Sequence, residues 1–374
     1  MKTLKIFFIT FLFLSLISIN IFSQKNASNN SKYHEFAMFL AGKEFPKSIT
    51  DTTMDLEFWY QYQEKINEDW PTMDSLRLTP MSSWEKAEIT PKINDSLTLL
   101  YPFSGPDFLH AYILFPNSNE YIFLAQEQLG EIPNLSDMKQ KDLVAYLDKF
   151  YYSIRDIYQR SYFITGRMNT DLNNARVKGV LPVILFFMVQ TDNYIHDVTY
   201  EKPATNNSFT PIQNISGRFS SAECINIKFS SKDSGNIRTL RYFRCDVSDE
   251  GLGSAIMLND YLSNLKSFNT YIKSASYLLH YETFNSMRSI ILENSHAVLQ
   301  DDTGIPYKYF DQNKWDPYLY GVYVKPIEDF PNPYLLQKDL KKIYDEGDKI
   351  LSLPFSLGYH WRSGDQNQML FIKN

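Results

Sequence analysis

Apolar positions recur at helical spacing most clearly between 136 and 163, where Leu143, Leu147, Phe150, Ile154 and Ile157 fall every three or four residues. Ser136 is the expected N-cap and Gly166 the expected stop. The same periodicity predicts helices over 34–40, 56–66 (Phe58, Trp59, Tyr62 and Ile66 sharing a face), 107–115 and 334–346. It also predicts a stretch over 168–190 broken at Pro182, and three helices in succession over 255–266, 269–281 and 284–299. Short apolar runs predict strands at 97–103, 121–125, 194–200 and 321–324, and a closing hairpin of 357–361 with 369–372 around Gly364-Asp365. The polar stretch 204–208 reads as a loop.

Two further strand-favouring runs, CINIKFSS and IRTLRYFRC, flank the turn Lys232-Asp233-Ser234-Gly235-Asn236 and predict a β-hairpin. If Ser234-Gly235 is a two-residue loop, Cys224 falls opposite Cys245 at a non-hydrogen-bonded site. There the Cα atoms approach to about 4.5 Å, within disulfide range. These are the chain's two cysteines, and a structural disulfide between them is the expectation for an oxidising compartment. Two free thiols, or a bulge that shifts the register, are the alternatives.

Helices and strands mix without strict βαβ alternation, which argues for an α+β fold with a mainly antiparallel sheet. A helical N-terminal layer is expected over 24–95 and the main α+β domain over 96–374. The first residues read differently. Lys2 and Lys5 precede an apolar run from Ile6 to Phe22 that turns polar at Ser23-Gln24-Lys25, the three parts of a secretory signal peptide over 1–23. At about 17 residues the run sits at the low edge of what spans a bilayer. The greasiest later segment, VLPVILFFMV, has the length of a buried core element. The mature protein is therefore expected to be exported, periplasmic or extracellular, and without a membrane span.

The chain of 374 residues carries 37 basic and 43 acidic residues without a basic cluster, which excludes nucleic acid as the expected partner. Its 16% aromatic content suits a packed extracytoplasmic protein as well as a carbohydrate or peptide surface. Metalloprotease, nucleophile-elbow, P-loop, dinucleotide and EF-hand signatures are absent. No two of the six histidines (34, 110, 196, 280, 296, 360) lie three to five apart, so neither a cofactor nor a local metal site is expected.

Four carboxylates remain as candidates for chemistry. Asp107 and His110 lie one turn apart after Ser104-Gly105-Pro106; the simplest role of Asp107 is as a helix N-terminal acid. Glu127 follows the strand YIFLA, where a carboxylate can enter a cleft as general acid or base, although strand ends also face water. Asp301 and Asp302 belong to Gln-Asp-Asp-Thr-Gly, which contains the Asp-Thr-Gly of aspartic proteases. Those enzymes need two such carboxylates sharing a proton, and here no second copy exists. The triplet also follows a predicted helix, which favours a helix-terminating role with Gly304 in a positive-φ turn. Tyr359, His360, Trp361 and Arg362 form an amphipathic cluster in the predicted final hairpin.

The phrases YPFSGPDFLHAYILFP, SASYLLH, LQDDTGIPYKYF, YGVYVKPI and LPFSLGYHWR, in that order, resemble a family of uncharacterised exported bacterial proteins over about residues 95–374. The resemblance implies export and one continuous architecture, and brings no activity or catalytic residue. The cysteines are outside the shared pattern. The leading expectation is a non-enzymatic protein that binds an extracytoplasmic ligand or polymer. The runner-up is a hydrolase of glycan or envelope polymer using two of Asp107, Glu127, Asp301 and Asp302. A third reading is an assembly or scaffold factor of a surface complex.

Overall fold

The computed structural model describes residues 31–49, 54–160, 178–330, 332–347, 349–362 and 364–374. The segment 1–23, expected to be a signal peptide, and the expected stop at Gly166 lie outside the described residues.

Three helical segments open the described chain: α1 (Lys32–Leu40), α2 (Glu57–Glu68), and a continuous run α3 built from Trp70–Met73, Asp74–Leu78, Thr79–Trp84 and Glu85–Ile89. The expected helical N-terminal layer is thus present. Its buried side chains, among them Phe36, Phe39, Trp59, Tyr62, Met81 and Trp84, share one apolar core with the sheet behind them.

The fold is α+β around a mixed sheet in which, among the described residues, ten strands follow the order β4-β3-β5-β6-β2-β1-β7-β8-β10-β9. They are β1 (Leu99–Pro102), β2 (Glu120–Ala125), β3 (Asn193–Pro203), β4 (Phe209–Pro211), β5 (Cys224–Ser231), β6 (Arg238–Arg244), β7 (Phe268–Ile272), β8 (Ser295–Gln300), β9 (Trp315–Gly321) and β10 (Asn367–Lys373). Five pairings are antiparallel and four are parallel. The parallel pairings are contiguous and make β6-β2-β1-β7-β8 the centre of the sheet. Every side chain of β1 and β7 is buried, as parallel strands covered on both faces require.

Alternate residues feed two cores. Leu99, Tyr101, Tyr121, Phe123 and Leu299 point to the face covered by α1–α3, α4 (Phe108–Leu114), α5 (Gln140–Arg160) and α6 (Leu181–Gln190). Leu100, Ile122, Leu124 and Val298 point to the face covered by α7 (Asp249–Ser254), α8 (Ile256–Asn264), α9 (Asn285–Asn294) and α10 (Lys338–Glu346). All ten residues of α6 are buried, consistent with a helix apolar all round. Pro182 sits in its first turn, where a missing N–H costs nothing, so it starts this helix and does not interrupt one. Helix α5 begins at Gln140; Ser136 lies before it in a separate 3₁₀ turn.

Two segments expected to be helical are parallel strands: 269–281 begins as β7, and 284–299 divides into α9 and then β8. A strand buried on both faces loses its period-two signature, so its apolar run matches a helix equally well. The Asp-Thr-Gly triplet consequently follows an apolar strand and not a helix. Gly304 has no positive φ; it is required because a Cβ there would meet Gln300 Oε1 at 2.5 Å. The closing hairpin is also corrected. β10 forms as expected, but 357–361 contains the 3₁₀ turn Gly358–His360, and β10 pairs with β8 and β9.

The β5–β6 hairpin exists, with Cys224 opposite Phe243 and not Cys245. The loop is wider than the two residues assumed. Ser231 accepts the Gly235 N–H at its carbonyl and the Ser234 N–H at its hydroxyl. These local bonds shift the pairing register by two residues and move the centre of the turn one residue toward the first strand. The expected disulfide is therefore overturned: Cys224 and Cys245 are both free and buried, and burial pushes both thiols up. A thiol reagent should find no reactive cysteine in the native protein and two after denaturation without reductant.

Candidate functional site

The parallel centre runs in both directions from β1. The chain leaves β1 through α4 to β2 on one side, and later returns as β7 on the other. Beyond the carboxyl ends of such diverging strands the loops part and leave a crevice. Here a cavity of about 180 Å³ lies at that place, lined by the residues that follow β1, β2, β6 and β7, with Tyr359 and Phe284 at its side.

The floor is a charged cluster. Asp107 caps α4 by accepting the His110 N–H at 3.3 Å. Its Oδ1 also takes the His110 ring Nδ1 at 2.8 Å, and its Oδ2 accepts the Tyr101 hydroxyl at 3.1 Å and pairs with Lys273 from the end of β7. All four side chains are buried. Burial alone would raise the Asp107 carboxyl, but His110 and Lys273 outweigh it and hold it well below the usual carboxylate range. Burial lowers His110 to about 4, so the ring is neutral near pH 7, and it lowers Lys273 as well. Asp107 thus has the expected helix-terminal role, and His110 is fully buried beside it.

The Asp-Thr-Gly segment stands behind the cleft wall. After β7 the backbone enters the left-handed region at three non-glycine residues, Ser274 (φ 54°), Ser276 (φ 51°) and Tyr277 (φ 59°). Each such residue costs of order 1–3 kcal/mol unless its surroundings impose the conformation. Asp301 accepts the Ser274 N–H at 2.9 Å, Thr303 Oγ1 accepts the Ala275 N–H at 2.8 Å, and Asp302 accepts the Tyr277 hydroxyl at 2.7 Å. Ser274 Oγ in turn accepts the Tyr359 N–H at 3.1 Å. Gly358 packs so closely here that a Cβ would lie 2.3 Å from Ser274 Oγ. The triplet clamps the strained loop that forms one lip of the cleft.

Asp302 is itself saturated, with His360 Nε2 at 2.5 Å and Asn367 Nδ2 at 3.2 Å on its other oxygen. Burial would lower the His360 pKa, but its bonds to Asp302 and Asp365 raise it to about 10. Burial and the neighbouring Asp302 push the Asp301 carboxyl up.

Glu127 lies in the cleft at the end of β2, 4% exposed and not directed to water as strand ends commonly are. It accepts the Tyr242 hydroxyl at 3.1 Å, and no cation is paired with it among the described residues. Ser104 Oγ, 5% exposed, lines the same cleft without a hydrogen-bond partner. Of the four candidate carboxylates, Asp107 and Glu127 meet in the cleft, whereas Asp301 and Asp302 support it from behind. Lys273 and Ser104 were not among the candidates; a lone lysine closing the apolar strand FNTYI is the one signal that pointed to it. Among the described residues no group of three or more His, Cys, Asp or Glu is placed to hold a metal ion, and no helix is long and apolar enough to cross a membrane.

The fold and site define an α+β protein with a crevice at the switch point of a parallel sheet centre. No family model, curated protein or solved structure matches the chain.

Two outcomes follow from these charges. Lys273→Met should cost about 3–5 kcal/mol in urea unfolding because it strands a buried carboxylate, while adding Asp107→Leu should recover much of the loss. For His360 the folded pKa lies above the unfolded value of 6.5, so its contribution is complete below pH 6.5 and declines as pH rises through about 10. His360→Gln should be less stable than wild type at pH 6, with the difference shrinking by pH 10.

Proposed function

We propose that this protein is exported and acts by binding a small ligand in the switch-point cleft without turning it over. The observation that carries the reading is the cleft's construction. A polar floor and a strained lip are held in place by buried bonds; Glu127, bonded to Tyr242 and paired with no cation among the described residues, and the unpartnered Ser104 hydroxyl line the interior. A site preformed in this way binds without a large ordering cost.

The carboxylates also favour binding over hydrolysis. A glycosidase pair needs one acid able to give up and regain a proton beside a second carboxylate free to attack or to activate water. Asp107 is committed to Lys273, Tyr101 and His110. Asp301 is committed to Thr303 and Ser274, and Asp302 to His360, Tyr277 and Asn367. Glu127 is left without a working partner among them.

The test is a thermal-unfolding screen of the purified protein against sugars, amino acids, nucleosides and short glycans, repeated with Gln126→Trp. Gln126 is exposed at the cleft edge, so the variant should fold normally and narrow the mouth. A ligand at 100 times its Kd should stabilise wild type by about 2.7 kcal/mol, and the variant should lose that shift. An unchanged shift in the variant, or multiple turnover of the ligand, would overturn the reading.

A further inference from the structure

Resting on that reading, we propose that the cleft takes a ribonucleoside without phosphates, held at its vicinal hydroxyls by Glu127. Counted along the chain, the five parallel strands β1, β2, β6, β7 and β8 lie in the spatial order third, second, first, fourth, fifth. That is the order of sheets that seat a nucleotide moiety across the crevice between the first and fourth strands. In such a sheet a carboxylate about 20 residues beyond the glycine turn after the first strand meets the ribose hydroxyls. Gly105 stands in the turn after β1 with φ 50°, and Glu127, two residues past the end of β2, lies at that interval.

The local chemistry supports the assignment independently of topology. An ionised carboxylate is purely an acceptor with room for several donors. Glu127 receives one neutral donor and no cation, so two adjacent hydroxyls supply what it lacks. Ser104 Oγ, buried and unpartnered, offers a further polar contact inside the cleft. Phe103 and Phe284 line the same cleft with ring centroids 5.9 Å apart and planes at 62°, an apolar surface suited to a flat heterocycle.

The same residues disfavour phosphate. The turn Phe103-Ser104-Gly105-Pro106-Asp107 has one glycine where phosphate-binding turns of this kind use three, and Pro106 has no N–H to give. The cleft's one ammonium, Lys273, is already paired with Asp107. The remaining charged groups of the lining are Glu127 and Asp246, both negative.

Isothermal titration of the full mature protein with adenosine, guanosine, cytidine and uridine tests this, alongside 2′,3′-dideoxyadenosine and adenosine 5′-monophosphate. At least one ribonucleoside should bind. Loss of both ribose hydroxyls, or Glu127→Gln, should weaken binding by roughly 100-fold or more, because a buried acceptor is left unpaired. The 5′-phosphate should weaken it by at least about tenfold through repulsion from the acidic lining. The dideoxy comparison uses wild-type protein and stands even if the variant fails to fold. Equal affinity for the dideoxy compound, or tighter binding of the monophosphate, would overturn the assignment. A cleft ligand from the broader screen with no ribonucleoside binding would overturn it while leaving the binding reading intact; no ligand in the cleft at all would remove both.

Discussion

The Asp107–Lys273 ion pair ties together the two strand ends between which the sheet changes direction. Asp107 belongs to the turn that leaves β1 and Lys273 to the first residue beyond β7, so the pair bridges the divide where the backbone would otherwise part freely. Removing either partner leaves a charge in an apolar interior, whereas together they neutralise each other and are hydrogen-bonded to Tyr101 and His110. The cleft has a floor because this pair closes it.

Around that point the architecture divides the work between two buried carboxylate stations. Asp107 fixes the β1 turn, and Asp301 with Asp302 fixes the turn after β7. The second station reaches across to the turn bearing Tyr359 and to Asn367 of β10, so a lip formed by one segment is held by residues from three others. The left-handed backbone at Ser274, Ser276 and Tyr277 persists because these bonds leave it no alternative. A strained segment so held is a fixed shape, which is what a preformed binding site needs.

Much of the frame was legible. Helices α1, α2, α4 and α10, strands β1 to β3 and the β5–β6 hairpin follow directly from apolar spacing and turn residues. Asp107 and Glu127 were recognisable because each follows an apolar strand or caps a helix at a place where chains build sites. The centre was less legible, for a physical reason. FNTYI and SHAVLQ are buried on both faces, carry no alternation, and match a helix or a strand equally well as isolated strings. With those two strands read as helices, the parallel order and its crevice were invisible, and Asp-Thr-Gly seemed to end a helix. The cysteine register failed on a smaller quantity, a loop of six residues (232–237) where two were assumed.

By itself the sequence determined the α+β class, the acidic character of the chain and most local elements, because these depend on composition and on neighbours within a few residues. Only the tertiary structure decided which strands lie parallel, which carboxylates are neutralised and which remain available. Those outcomes depend on groups more than a hundred residues apart meeting in a medium of low dielectric: Lys273 reaching Asp107, Tyr242 reaching Glu127. No local pattern encodes such meetings, since they are set by how the whole sheet packs.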